Sequence, residues 1–235
     1  SGLLILLGTS ASIAFFHTLL GPDHYLPFIM MSRSGKWSTS KTVWVTILCG
    51  AGHVASSIML GFLGIAFGLT LSKLTAFESF RGNIAAWGLL AFGLTYLVWG
   101  IRKAIRNRPH RHEHAHEAGD AHSHKHTHSS EHAHVHKAAG SKSLTPWVLF
   151  VIFVLGPCEP LIPMLMYPAA KNSMTSVWLV SGVFALVTIL TMLTVVMIAS
   201  YKRDLMRSIN LERYTHAIAG AIVSFCGISI LFLGL

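Results

Sequence analysis

The sequence predicts an all-α, polytopic membrane protein: six transmembrane helices in a 3+3 inverted repeat, with broken helices at two Gly-Pro segments. Three observations carry this expectation. Apolar residues make up 52% of the 235-residue chain and charged ones 11%, with a mean hydropathy of +0.57, far from the balance of a water-soluble domain. Six stretches are apolar enough, and near enough to ~20 residues, to cross a bilayer. Leu-Gly-Pro occurs twice, half a chain apart, at Leu20-Gly21-Pro22 and Leu155-Gly156-Pro157.

The first stretch, 2–20, runs into the first Gly-Pro segment and on to about 31. Stretches 43–68 and 84–101 complete a first half, 1–101. Residues 102–144 form a linker. The second half, 145–235, holds stretches 145–167, 177–200 and 215–235. Three spans per half is an odd number, so the second copy inserts upside down and a pseudo-two-fold axis lies in the membrane plane. Ala91-Phe92-Gly93-Leu94-Thr95 through Gly100 echoes Ser224-Phe225-Cys226-Gly227-Ile228 through Gly234, a second and weaker match between the halves. Six spans use most of the chain and leave no room for a soluble catalytic domain, so an enzyme is not expected.

The net charge of +9 raises the question of nucleic acid, and its placement answers it. Fifteen of the eighteen Lys and Arg residues fall in loops 32–42, 102–144 and 201–214; only Lys73, Arg81 and Lys171 fall in the others. That asymmetry is the positive-inside pattern. The linker is then cytoplasmic and both termini lie outside, in a bacterial inner membrane. The basic charge reports topology rather than a nucleic-acid partner. Cys49, Cys158 and Cys226 all fall in expected spans and form no CxxC pair, so no disulfide framework is expected.

On these span boundaries, Asp23 and Glu159 are the acidic residues inside the membrane, each just after a Gly-Pro pair. A carboxylate in hydrocarbon is costly unless it is paired, protonated or coordinating an ion, and such residues mark functional sites. Proline removes a backbone donor and glycine accepts unusual dihedrals, so both helices are expected to break there. Six of the eight prolines cluster in these segments (Pro22, Pro27, Pro157, Pro160, Pro163, Pro168). Broken backbone at membrane depth survives only where it is buried in protein or lines a cavity.

Asp23 and His24 from the first segment, with Cys158 and Glu159 from the second, make a mixed N/O/S donor set. That set suits a borderline transition metal such as nickel, cobalt, zinc or iron, whereas magnesium or calcium would want oxygen alone. His17, seven residues before His24, and His53, in the second span among Gly and Ser residues, are further candidate ligands. Thr188 and Thr191 are weaker ones, and His216 reads as interfacial.

The linker holds eleven of the fifteen histidines: His110, His112, His114, His116, His122, His124, His126, His128, His132, His134 and His136. Alternating histidines among Glu, Asp and Ser cannot build a packed core and bind metal loosely. The tract is internal and irregular, unlike an engineered tag, and is expected to be disordered without metal. It could collect, sense or buffer cytoplasmic ions.

His17 through Asp23-His24, together with His53 and the histidine-rich loop, resembles the nickel/cobalt transporter superfamily, which includes NicO-type efflux proteins and urease-accessory membrane permeases. The family's H-x4-D-H motif is one residue longer here between His17 and Asp23. The resemblance implies efflux of a divalent transition metal (nickel or cobalt, with zinc or iron as further candidates). That ion is a transported substrate, with no permanent cofactor. Gly156-Pro157-Cys158-x-Pro160-x-x-Pro163 is similar to the thiol-disulfide electron carriers of the DsbD and cytochrome c biogenesis type. Those carriers need a cysteine in each repeat, and Asp23 stands at the position paired with Cys158. The expected reading is therefore a metal carrier working by alternating access. Its partners are a divalent metal ion and the lipid bilayer, with a second copy of the chain or a metallochaperone as compatible associates. A thiol-disulfide carrier, or a metal-binding accessory protein that does not transport, is the alternative.

Overall fold

The computed structural model describes residues 2–106, 110–114, 122–126, 145–171, 173–201 and 212–233. In chain order these form α1 (Gly2–Leu20), a 3-10 turn (Pro22–His24), α2 (Leu26–Ser34), α3 (Thr39–Ala66) and α4 (Leu71–Arg106). Strands β1 (His110–His114) and β2 (His122–His126) follow, then α5 (Thr145–Leu155), α6 (Leu161–Ala170), α7 (Met174–Tyr201), a 3-10 turn (Glu212–Tyr214) and α8 (Thr215–Leu233).

Five helices, α1, α3, α4, α7 and α8, are long and apolar enough to cross a membrane. Large apolar side chains face outward along them, among them Leu4, Trp44, Met59, Phe80, Trp87, Trp178 and Phe232. In water such a surface would be a liability; against lipid it is the ordinary outer face of a bundle. The chain is a multi-pass membrane protein.

The fourth expected span, 145–167, is not a single helix. It is divided into α5 and α6, of 11 and 10 residues, by an irregular segment around Gly156, Pro157 and Pro160. Pro157 and Pro160 have no N–H to give, so the helix cannot run through. A break also follows α1, at Gly21-Pro22, before the short α2. The third span differs too: α4 begins at Leu71 rather than 84, bringing Glu78 and Arg81 into the helix and burying both. Neither is a loop residue; both are buried on a helix long and apolar enough to cross a membrane.

Two connections share one stop signal. After α3, Gly68 adopts φ 61°, its N–H reaches Ile65 O at 3.2 Å and Leu69 N–H reaches Gly64 O at 2.8 Å, which is a Schellman motif. After α2, Lys36 takes the same left-handed position at φ 48°, with Lys36 N–H on Arg33 O at 3.3 Å and Trp37 N–H on Ser32 O at 2.9 Å. The N-terminus of α3 is capped by Ser38, whose hydroxyl accepts the Lys41 N–H at 3.2 Å, satisfying one of the helix's free donors.

Packing is closest between α4 and α8. Gly93 and Gly100 on α4 lie against the backbone of Ser224 and Ala217, and Gly220 and Gly227 on α8 lie against Leu97 and Leu90. A side chain at any of these positions would strike the opposing helix, so small residues are what let the two backbones meet. Helix α1 packs on α7, α5 on α3, and α3 also on α7 and α6; α2 rests on α8. Two buried apolar clusters result. One holds Phe28, Cys49, Leu89, Phe153, Met192 and Cys226; the other holds Ala14, Val54, Cys158, Leu161, Leu165 and Phe184.

In the linker, β1 and β2 pair antiparallel with His112 opposite His124. The His-x-His alternation has the period of a strand, so these ten residues depart from the expected disorder, while the bundle itself is all-helical. His116, His128, His132, His134 and His136 lie outside the described residues.

Candidate metal centre

Four elements deliver the site: the end of α1, the turn after it, the middle of α3 and the break between α5 and α6. His17 sits on the last turn of α1 and His24 in the 3-10 turn that Gly21-Pro22 forces on the chain. The ring centroids of His17 and His24 are 4.8 Å apart, and those of His24 and His53 are 5.1 Å apart. His17, His53 and Cys158 each place one ligand atom within 4.8 Å of the others. Three imidazoles and one thiol thus converge from both halves of the chain.

The ring nitrogens show what the cluster is suited to hold. Nε2 of His17, His24 and His53 are all buried and without a hydrogen-bond partner. A buried polar atom left unpaired is costly, so each of the three is open to a further partner. At His24, Nδ1 lies 3.1 Å from both Gly21 O and Asp23 Oδ1. Both are acceptors, so Nδ1 carries the proton and Nε2 presents its lone pair. His53 does the same against Phe153 O, at 3.3 Å. Hydrogen-bonding the far nitrogen in this way is what fixes the tautomer of a metal-ligating histidine. Tetrahedral coordination with bonds of about 2.0–2.3 Å needs ligand atoms about 3.4–3.7 Å apart. The group requires only a small inward movement to reach that spacing.

Of the residues the sequence singled out, His17, His53 and Cys158 bring ligand atoms within 4.8 Å of one another, and His24 adjoins them through its ring contacts with His17 and His53. Asp23 supports the site through His24 and is not part of the group of ligand atoms drawn together. Glu159 is exposed beside the fully buried Cys158, because the turn sends neighbouring side chains different ways; it is not part of the site. Thr188 Oγ1 on α7 is buried and unpaired. His216 lies apart, at the start of α8, its Nδ1 2.9 Å from Tyr96 Oη and its Nε2 3.1 Å from Lys103 Nζ.

Two residues were missed by assigning them to a loop. Glu78, with no exposed surface, accepts the Cys158 N–H at 3.2 Å. Arg81 donates to Glu78 Oε1 at 2.9 Å and reaches carbonyls on the broken segment. Placing α4's start at 71 would have exposed both as intramembrane charges.

The family model for the cytochrome C biogenesis protein transmembrane region matches residues 26–231, from α2 into α8; α1 and the turn with His24 lie outside the match. The chain belongs to that family. Membership falls on the second of the two resemblances in the sequence, the thiol-carrier one; the nickel/cobalt superfamily finds no support. No curated protein and no solved structure matches the chain significantly. Within this cytochrome c biogenesis family member, Cys158 is free and buried, as are Cys49 and Cys226. Cys158 packs in one apolar cluster, Cys49 and Cys226 in the other.

Proposed function

We propose that the chain is a transmembrane carrier whose cargo is a divalent transition-metal ion, bound by Nε2 of His17, His24 and His53 and by the Cys158 thiolate. The observation that carries this reading is the grouping of His17, His53 and Cys158 ligand atoms within 4.8 Å, with Nε2 of His17, His24 and His53 all buried and partnerless. Nitrogen and sulfur donors suit nickel, cobalt, zinc or iron, with geometry and supply rather than raw affinity deciding among them.

The architecture is compatible with the proposed transport cycle. The first half, 1–101, and the second, 145–235, are proposed as inverted repeats, with α1 to α4 answering to α5 to α8. Supporting this, α1 packs on α7 as α5 packs on α3, and both first helices end at Gly-Pro. Ligands on two broken segments at the repeat interface suit alternating access, the halves rocking about the ion. Ligands must lose protons to bind metal, so proton movement is the proposed coupling. Efflux from the cytoplasm of a bacterial cell, through the inner membrane, fits a histidine-rich linker on the basic side, where it would gather the ion.

The test is metal binding and flux in the full chain. Wild type should bind one cobalt ion through a thiolate and move it into proteoliposomes; Cys158→Ser and His53→Ala should do neither. Wild-type-like flux in both variants would sink the reading.

Family membership favours a second reading, a thiol-disulfide electron carrier. There Cys158 and a second thiol would be oxidised together to a disulfide, with release of two electrons and two protons to an acceptor disulfide. The second thiol would be Cys49, Cys226 or one on a partner protein. Trapping Cys158 in a mixed disulfide during turnover, with no dependence on His17 or His24, would establish this reading instead.

A further inference from the structure

The segment between α5 and α6 is braced from outside itself. Glu78 Oε2 accepts the Cys158 N–H at 3.2 Å, and Glu78 Oε1 accepts from Arg81 Nη1 at 2.9 Å. Arg81 Nη2 donates to Val154 O at 2.9 Å, to Gly156 O at 3.4 Å and to Ser56 Oγ at 2.7 Å. Ser56 Oγ in turn donates to His53 O at 2.8 Å. Gly82, beside Arg81, lies so close to Pro157 that an added Cβ would stand 2.7 Å from its ring.

The missing donors of Pro157 and Pro160 explain why a charged pair is kept here. In an unbroken helix residue 157 would serve Phe153 O and residue 160 would serve Gly156 O. Proline can serve neither, and in a membrane no water is at hand to replace it. Arg81 takes Gly156 O; at Phe153 O the Gly156 N–H, at 3.1 Å, and His53 Nδ1 stand in. One pair on α4 therefore fixes the backbone carrying Cys158 and, through Ser56, the turn of α3 carrying His53. Among the described residues the first break has no such brace. Its hydrogen bonds run locally, from Gly21 N–H to His17 O, His24 N–H to Gly21 O, Tyr25 N–H to Pro22 O and Tyr25 Oη to Leu19 O.

We infer that Glu78 and Arg81 are positioning residues that preset the His53–Cys158 half of the centre, leaving the His17–His24 half to close on the cation. This rests on the metal-carrier reading above. The two halves then have different work: one offers a fixed pair of ligands, and the other moves.

The test is cobalt(II) titration of the full-length protein, following affinity, the thiolate-to-cobalt charge-transfer band and thermal unfolding. The linker 102–144 has no cysteine, so the band is blind to cobalt bound there. Glu78→Gln and Arg81→Gln should weaken binding by about 10–100-fold, as outer-shell substitutions do, and diminish the band. Arg81→Lys should not restore it, because one ammonium cannot span Glu78, Ser56 and the two carbonyls. Ser56→Ala, a mild change, should keep the unfolding temperature and weaken binding severalfold; it decides the matter if the charge variants fail to fold. Unchanged affinity and band in folded Glu78 or Arg81 variants, or in Ser56→Ala when those do not fold, would overturn the inference. A wild-type protein with no band at all would overturn the carrier reading, and this inference with it.

Discussion

His53 Nδ1 lies 3.3 Å from the carbonyl oxygen of Phe153, which Pro157, four positions on, cannot serve and which the Gly156 N–H reaches at 3.1 Å. The histidine on α3 adds a second donor to that carbonyl, which holds the ring with its other nitrogen free for the centre. Helix breaking and ligand orientation meet at one carbonyl.

Replacing the orienting group should therefore act through the ligand. Asp23→Asn and Asp23→Ala should each lower the affinity of the membrane site by about 10–100-fold, the usual range for an outer-shell partner of a ligating histidine. Asp23→Asn should be the milder, since an amide oxygen still accepts from His24 Nδ1. Isothermal titration against His24→Ala, expected to be the more severe, checks the order.

The three cysteines separate the two functional readings. Cys49→Ser/Cys226→Ser is expected to bind and transport metal like wild type, because both thiols pack in the apolar cluster apart from Cys158. If the double variant loses activity while His17→Ala keeps it, an intrachain thiol pair is the working part.

Glycine at the α4–α8 crossing should be intolerant of any side chain. Gly220→Ala places a methyl against the Leu97 backbone and Gly93→Ala one against Ser224. Overpacking costs about 1–3 kcal/mol, and both variants should melt lower than wild type. Gly2→Ala and Gly8→Ala, where a Cβ meets nothing within 4 Å, serve as controls and should be near neutral.

Lys36 sits at φ 48°, where a non-glycine residue costs about 1–2 kcal/mol. Lys36→Gly should leave the α2–α3 turn intact and raise thermal stability by up to about 1 kcal/mol, after glycine's greater freedom in the unfolded chain is set against the relief. A lowered melting temperature would mean that the lysine side chain itself is needed.

Much of the bundle was legible because hydrocarbon restricts what a chain can do. The apolar runs at 2–20, 177–200 and 215–235 correspond closely to α1, α7 and α8, and Gly-Pro marked both breaks. What was not legible came from the same rule applied too strictly. Charges at Glu78 and Arg81 pushed the expected start of the third span to 84, although a charged pair that satisfies broken backbone is allowed at depth. Glu159 was taken into the site because it follows Gly-Pro-Cys; which of two neighbours in an irregular turn faces inward is a matter of dihedral angles, not composition. His17, His24, His53 and Cys158 were readable from residue type, but their convergence depends on α1, α3 and α5 meeting, which spacing alone does not encode.

Helix α4 is held against the α8 backbone from Leu90 to Gly100, and Glu78, which accepts the Cys158 N–H, lies 12 residues before Leu90, about 18 Å of helix at 1.5 Å per residue. The glycine seam is the anchorage and the Glu78 end an outrigger, so the backbone around the thiol takes its footing from a helix pair that contributes no candidate ligand of its own.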